Sequence, residues 1–328
     1  MIDLSGTFLP VTTPFDPVTG DIDVVAFRAN LRRWFEDPIS GILIAGSTGE
    51  SVFLDEAECK DLIEAAREVV PADRIIIVGT GGESTRHTIR NCEQAAAAGA
   101  DAVLVSPPAY FKGAMTPEVL DRHYRAVAAG SPLPVLIYQV PLRLSTLEFP
   151  TGLVAELSRV DNIVGIKDSR GKLELVGELV EACADDFQVM VGSGAILYGA
   201  LETGAVGGIV AVGLMASSAA AHISVAFKDG RTAEAGQLQE RIVPVHNQIV
   251  GGMGVPGVKA GMDILGFNGG APRPPLAPAS DARIEEIRGI LVHSSFSLLL
   301  FAPRHSLEPS LGTPRHGGPS RSFWARGL

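Results

Sequence analysis

Cysteine is scarce: the chain of 328 residues holds three, Cys59, Cys92 and Cys183. They stand apart in helix-like stretches, with neither metal-ligand spacing nor a paired framework. That excludes a disulfide scaffold and fits a reducing cytosol. Positive charge is also short. Lys and Arg number 27 against 37 Asp and Glu, a formal net charge of -10. This balance argues against nucleic acid, or an anionic membrane surface, as a partner. No apolar run approaches the length of a membrane span. The opening "MIDLSGTFLPVTTPF" lacks the basic-then-apolar order of a secretory signal, so a cytoplasmic location is expected.

What is present is material for a core: 46% of the residues are hydrophobic and 20% charged. Eight short β-branched runs end in small or polar residues: "TFLPVTTPF", "GILIAGSTGE", "RIIIVGTGGES", "AVLVSPPAY", "PVLIYQVP", "IVGIKDS", "QVMVGSG" and "GGIVAVG". Continuous apolar runs without alternation suit parallel strands buried on both faces. Amphipathic stretches separate them, one with a Ser84/Thr85 start and a Gly99 stop, another opening on "TPE" at Thr116. Eight strand–helix units predict a (β/α)8 TIM barrel. An open doubly wound sheet uses the same local pattern. The count of eight and the lack of GxGxxG after the first strand favour the barrel. The predicted organisation is a barrel over residues 1–224, a C-terminal helical extension over 225–292, and a disordered tail rich in Pro, Gly, Ser and Arg over 293–328.

In such a barrel the chemistry lies at the strand C-termini. Most residues there are small or hydroxylic, and two stand out: Tyr138 ends the fifth strand and Lys167 the sixth. The chain has only six lysines. Lys167 alone directly follows a buried β-run. Desolvation there lowers an amine's pKa and frees it to attack a carbonyl. The plainer alternative is a lysine that snorkels outward or pairs with Asp168. A tyrosine one strand away favours catalysis, because dehydrating a carbinolamine requires proton transfers. Taken alone, Tyr138 reads first as a core aromatic with its hydroxyl satisfied. In "AGSTGES", the hydroxyls of Ser47 and Thr48 and the backbone through Gly49 suit a carboxylate. An ordinary strand-to-helix turn has the same look.

Together, "GSTGES", "YQVPLR", "GIKDS", "VGSG" and "GGIVAVG" resemble, in order and spacing, the dihydrodipicolinate synthase/N-acetylneuraminate lyase family of Schiff-base aldolases. The resemblance covers about residues 4–292. It implies a barrel with a C-terminal helical extension, assembled as a homotetramer or homodimer. It makes Lys167 the Schiff-base lysine for pyruvate or a pyruvate-derived 2-oxo acid, Tyr138 the proton-shuttling tyrosine and Ser47 the relay hydroxyl. It gives the pyruvate carboxylate to Thr48 and Gly49, and lines the pocket with Gly192 and Ile209. No metal or organic cofactor is implied.

Two departures bear on the second substrate, an aldehyde. The synthase branch carries a "TPYY" tyrosine that reaches into a neighbouring subunit; here "SPPAYF" sets Ala109 at that position. Arg143 matches the synthase arginine that faces the second substrate's carboxylate, though Leu142 and Leu144 flank it. "GIKDS" and the C-terminal "GVPGVK" stretch look closer to 4-hydroxy-2-oxoglutarate aldolases, where Ser169 would contact substrate. The expected activity is therefore C–C bond making or cleavage of the 4-hydroxy-2-oxoglutarate type through a Lys167 imine. The alternatives are a 4-hydroxy-tetrahydrodipicolinate synthase condensing pyruvate with aspartate semialdehyde, a non-catalytic 2-oxo acid binder, and a phosphate-binding barrel enzyme.

Overall fold

The apolar runs become strands with almost every residue buried, as in Gly41–Ile44, Ala102–Val105 and Val135–Gln139. The structure of the chain, a computed structural model, describes residues 2–296. Its strands are β1 (Gly6–Pro10), β2 (Gly41–Ile44), β3 (Ile75–Gly79), β4 (Ala102–Val105), β5 (Val135–Gln139), β6 (Ile163–Asp168), β7 (Gln188–Val191) and β8 (Gly207–Ile209). They close in sequence order into a parallel barrel, with β8 pairing back onto β1. The predicted (β/α)8 barrel is what forms. An open sheet would leave two edge strands unpaired.

Two sets of apolar side chains explain the closure. Inside the barrel, Phe8, Leu43, Ile77, Leu104, Leu136, Tyr138, Met190 and Ile209 form one buried cluster. The opposite strand faces pack against the surrounding helices in a larger one, including Leu9, Ile42, Ile76, Val103 and Ile166. Alternate residues of one strand thus serve two cores, so the runs show no polar positions.

The helices around the barrel are α1 (Val24–Trp34), α2 (Glu56–Arg67), α3 (Thr85–Ala98), α4 (Pro117–Gly130), α5 (Thr151–Leu157), α6 (Leu173–Ala182), α7 (Leu197–Glu202) and α8 (Ser217–Lys228). Their starts obey local chemistry. Asp55 and Glu58 form a reciprocal capping box at α2, and the Ser84 hydroxyl caps α3. Gly99, at φ 102°, ends α3 in the left-handed region.

Beyond the barrel, α9 (Thr232–Val245), α10 (Gly252–Ile264) and α11 (Asp281–His293) make the C-terminal helices. A π-helical turn over His246–Gly251 joins α9 to α10, after a proline inside α9 at Pro244. Gly254, at φ 64°, kinks the start of α10. The predicted start of the tail needs correction. His293 still belongs to α11, and Phe296 is buried against the core with the Arg241 guanidinium 5.0 Å from its ring centroid. The rest of that segment, 297–328, lies outside the described residues.

Candidate active site at the barrel mouth

Parallel pairing sets Tyr138 of β5 directly beside Lys167 of β6. Its register partners Tyr138 and Met190 both belong to the inner cluster, so Lys167 lies on the strand face that turns into the barrel. Lys167 is 5% exposed, and its Nζ sits 4.6 Å from the centroid of the Tyr138 ring. Burial holds its pKa below the ordinary lysine value, with the neighbouring Tyr138 pulling the other way. Among the described residues no carboxylate pairs with it. The adjacent Asp168 is taken by Arg170, whose Nε donates to Oδ2 at 2.9 Å and whose backbone N–H donates to Oδ1 at 2.8 Å. The pairing of Lys167 with Asp168 is thereby ruled out, and so is snorkelling.

A second buried lysine makes the contrast. Lys259, on α10, has no exposed surface. Its Nζ donates to Glu50 Oε1 at 2.7 Å, to the Thr13 carbonyl at 2.8 Å and to the Ala271 carbonyl at 3.0 Å. All three ammonium hydrogens are thus used. The other Glu50 oxygen accepts the Arg273 backbone N–H at 2.8 Å. Lys259 is saturated and structural; Lys167 is buried beside Tyr138 with no carboxylate partner among the described residues.

The "AGSTGES" loop follows β2 with two non-glycine residues at positive φ, Ala45 at 51° and Glu50 at 60°. Three of its amides turn inward: Gly49 and Ser51 donate to the Gly46 carbonyl, and Glu50 to that of Ser47. The Gly49 carbonyl accepts from Thr13 Oγ1 at 2.8 Å, so both its backbone groups serve the turn. The amides of Ser47 and Thr48 bond to nothing within the described chain. The Ser47 hydroxyl lies 3.4 Å from the Tyr138 phenol oxygen, linking β2 to β5 across the mouth. Glu50, within this loop, is the anchor that sequence reasoning missed.

Gly192, just past β7, is shaped by its neighbours. A Cβ there would lie 1.8 Å from Ser169 Oγ and 3.1 Å from Lys167 Cε. Ser169 thus stands next to the lysine stem, its own amide donating to the Gln139 carbonyl at 3.1 Å. Ile209 is fully buried and pairs with Phe8 in the inner cluster that contains Tyr138. The Gly192→Ala protein should fold but displace Ser169 or the lysine stem. A misplacement of about 1 Å costs roughly 100-fold in rate. Single-turnover trapping of Lys167 by pyruvate and borohydride measures it; an unchanged rate would show that this close packing positions nothing.

Arg143 sits in the exposed turn after β5 and donates to the Val250 carbonyl of the π-helical turn at 3.4 Å. That loop is tied down by Gln139, a second residue missed from sequence. Its amide donates to the Val140 and Leu147 carbonyls and accepts the Phe149 N–H, at 3.0, 3.1 and 2.8 Å. Ala109 has no side chain to offer a relay. Its amide and that of Tyr110 donate to Glu83, while the Tyr110 side chain is 81% exposed. No group of acidic, His or Cys side chains suited to a metal occurs among the described residues. None of their helices is long and apolar enough to cross a membrane.

A closed parallel barrel with a desolvated lysine beside a tyrosine at its C-terminal face defines a class: Schiff-base aldolases and lyases. The chain belongs to the dihydrodipicolinate synthetase family, whose model matches residues 3–294. It is 33% identical over 291 residues to the 4-hydroxy-tetrahydrodipicolinate synthase of Methanothrix thermoacetophila, covering 88% of this chain and 97% of that one. Against the enzyme of the same name from a Synechococcus species it is 35% identical over 274 residues, 83% of this chain and 89% of that one. Among solved structures it resembles the 4-hydroxy-tetrahydrodipicolinate synthase of Methylacidiphilum fumariolicum, with TM-score 0.83, 31% identity and coverage of 89% and 96%. It also resembles a prophage protein of the family from E. coli K12 in complex with pyruvate, with TM-score 0.82, 26% identity and coverage of 89% and 99%.

Proposed function

We propose that the chain condenses pyruvate with aspartate semialdehyde through an imine on Lys167, as a 4-hydroxy-tetrahydrodipicolinate synthase. The observation that carries the lysine's role is its burial beside Tyr138 without a carboxylate partner. A solvated lysine is protonated at neutral pH and cannot attack; a desolvated one keeps more free amine. Lys167 Nζ attacks the 2-oxo carbon of pyruvate, and the carbinolamine loses water to give the imine. The imine draws electrons from the methyl carbon, which gives up a proton to form the enamine. The enamine carbon then bonds to the aldehyde carbon of the second substrate, whose oxygen takes a proton to become a hydroxyl, and the amine of the semialdehyde displaces Lys167 Nζ from the imine carbon, closing the ring and freeing the lysine. Tyr138, paired with the Ser47 hydroxyl, carries protons in these steps. The Thr48 hydroxyl and the amides of Ser47 and Thr48 are available for the pyruvate carboxylate. Gly49 shapes the turn that presents them. Gly192 and Ile209 fit the walls of the pyruvate pocket, and Arg143 the second substrate's carboxylate.

The choice of aldehyde rests on the relatives, which carry the synthase name, and turns the expectation away from 4-hydroxy-2-oxoglutarate. Cleavage of that hydroxy acid stays as the second reading because of one feature, the missing relay tyrosine at Ala109. Steady-state assays with both substrates separate them. Condensation with the semialdehyde at a kcat/KM at least tenfold above cleavage of the hydroxy acid is the expected result; the reverse ratio would overturn the choice. Self-association belongs to the same reading. Val52, Tyr110 and Phe111 are 85%, 81% and 71% exposed, large apolar side chains left in water by a single copy. A homodimer or homotetramer would cover them. Sedimentation velocity should show such a species, and a monomer at all concentrations would contradict it.

A further inference from the structure

Ser193 stands where a helix-capping serine would, directly before the 3-10 turn Gly194–Ile196, yet its side chain makes no capping bond. Its hydroxyl instead lies 3.1 Å from Nε2 of His246, on the π-helical turn of the C-terminal helices. Such turns interrupt a helix at a cost and concentrate at functional positions. The neighbours of this pair lead back to the reacting amine. Gly192, one residue earlier, lies between Ser169 Oγ and Lys167 Cε. Gly171, in the loop after β6, passes Ser193 so closely that a Cβ there would lie 3.4 Å from its Oγ. Arg143 bonds the Val250 carbonyl of the same π-helical turn.

The His246 ring has one buried nitrogen, Nδ1, with no partner. It packs on Gly194, where a Cβ would be 3.3 Å away. Burial, and after it the charge of Arg143, press the ring's pKa down to about 4, so it is neutral near pH 7. A neutral ring carries one proton. On Nδ1 it would be a buried N–H without an acceptor; on Nε2 it is donated to Ser193. The second arrangement leaves only a lone pair unpaired, on the ring that feels the Arg143 cation. It also fixes the serine: its oxygen accepts from His246, so its own proton is free to be donated elsewhere.

We propose that Ser193 is a specificity-determining donor to the carboxylate of the second substrate, acting beside Arg143, and that His246 is its positioning residue. This deepens the pyruvate-imine reading and rests on it. It explains why a serine at the end of β7 is held by a histidine from the C-terminal helices. It also ties the serine to the same π-helical turn that Arg143 bonds.

The experiment measures turnover of pyruvate with aspartate semialdehyde and with a neutral short aldehyde, alongside borohydride trapping by pyruvate alone. A hydrogen bond to a carboxylate is worth about one to two orders of magnitude in affinity. Ser193→Ala should raise KM for the semialdehyde by roughly tenfold or more. KM for pyruvate, the trapping rate and the neutral aldehyde should not move. His246→Leu should reproduce this change, and adding it to Ser193→Ala should do nothing further. His246→Gln, which keeps an N–H for the serine, should restore most of the affinity. An unchanged semialdehyde KM in Ser193→Ala overturns the proposal, as does full additivity in the double variant or no rescue by glutamine. Wild-type protein that traps pyruvate but shows no saturable dependence on a carboxylate-bearing aldehyde also overturns it, leaving the imine intact. Wild-type protein that fails to trap pyruvate sinks the imine reading itself.

Discussion

Lys167→Ala should lose turnover by roughly four to six orders of magnitude, as expected when a covalent nucleophile is removed. The fold should survive, because Lys167 holds no ion pair among the described residues and its charged end meets only the Tyr138 side chain. Stability should even improve in the Lys167→Met variant, by about 1 kcal/mol, since a group kept for chemistry is given up for one that suits the site. The sign with pH follows from the depressed pKa. An unfolded chain protonates this lysine at its ordinary value near 10.5, while the folded chain does so only at lower pH. The cost to folding therefore grows as pH falls through that window and is full below it. The gain from methionine should be larger at pH 7 than above the ordinary lysine value. In the wild type, the trapping rate should decline as pH drops through the depressed pKa and level off above it. Thermal melts and single-turnover trapping across pH check both halves.

The other buried lysine should respond in the opposite way. Glu50→Ala leaves the Lys259 ammonium fully buried with two carbonyls and no counter-charge. Breaking one side of a buried pair costs about 3–5 kcal/mol. In a chain of this size that lowers Tm by roughly 4–8 °C. The damage should not stay local. Glu50 also accepts from Arg273, and the Arg273 guanidinium reaches Glu58 and the carbonyls of Phe53 and Gly20. Phe15 lies under both cations, 4.5 Å from Lys259 Nζ and 4.3 Å from Arg273. This cluster fastens the C-terminal helices to the loop that carries Ser47 and Thr48. Loss of Glu50 should therefore raise KM for pyruvate as well as lower Tm. A variant that melts like wild type would show that the three carbonyl and carboxylate acceptors are not what keeps Lys259 inside.

The contrast between the two lysines shows what could be read from sequence. Lys167 was legible because it follows Ile163–Ile166 directly, and an amine at the end of a doubly buried strand has few uninteresting explanations. The barrel was legible for a related reason: eight runs without polar positions need two faces covered. Tyr138 was readable as its neighbour because parallel strands of known order fix which residues sit side by side. Lys259 was not, since its glutamate lies 209 residues away and the pair forms only when the C-terminal helices fold back. In the sequence it stands in a stretch of glycine and proline that has no strand signal. His246 was hidden differently. It falls on an amphipathic stretch where a polar residue every few positions is expected, and only the π-helical turn aims it at Ser193. Gln139 looked like one more strand residue, although its amide organises the loop that carries Arg143. In each case the missing information was long-range contact, which residue type and spacing do not encode.

Lys167, and not Lys259 or a surface lysine, is the residue proposed to form the imine. Incubation with pyruvate, reduction by borohydride and peptide mapping by mass spectrometry test it directly. The expected result is one reduced pyruvate adduct per chain, on the peptide that carries Lys167, and none in Lys167→Ala. An adduct on another lysine, or no adduct at saturating pyruvate, would rule out a Lys167 imine.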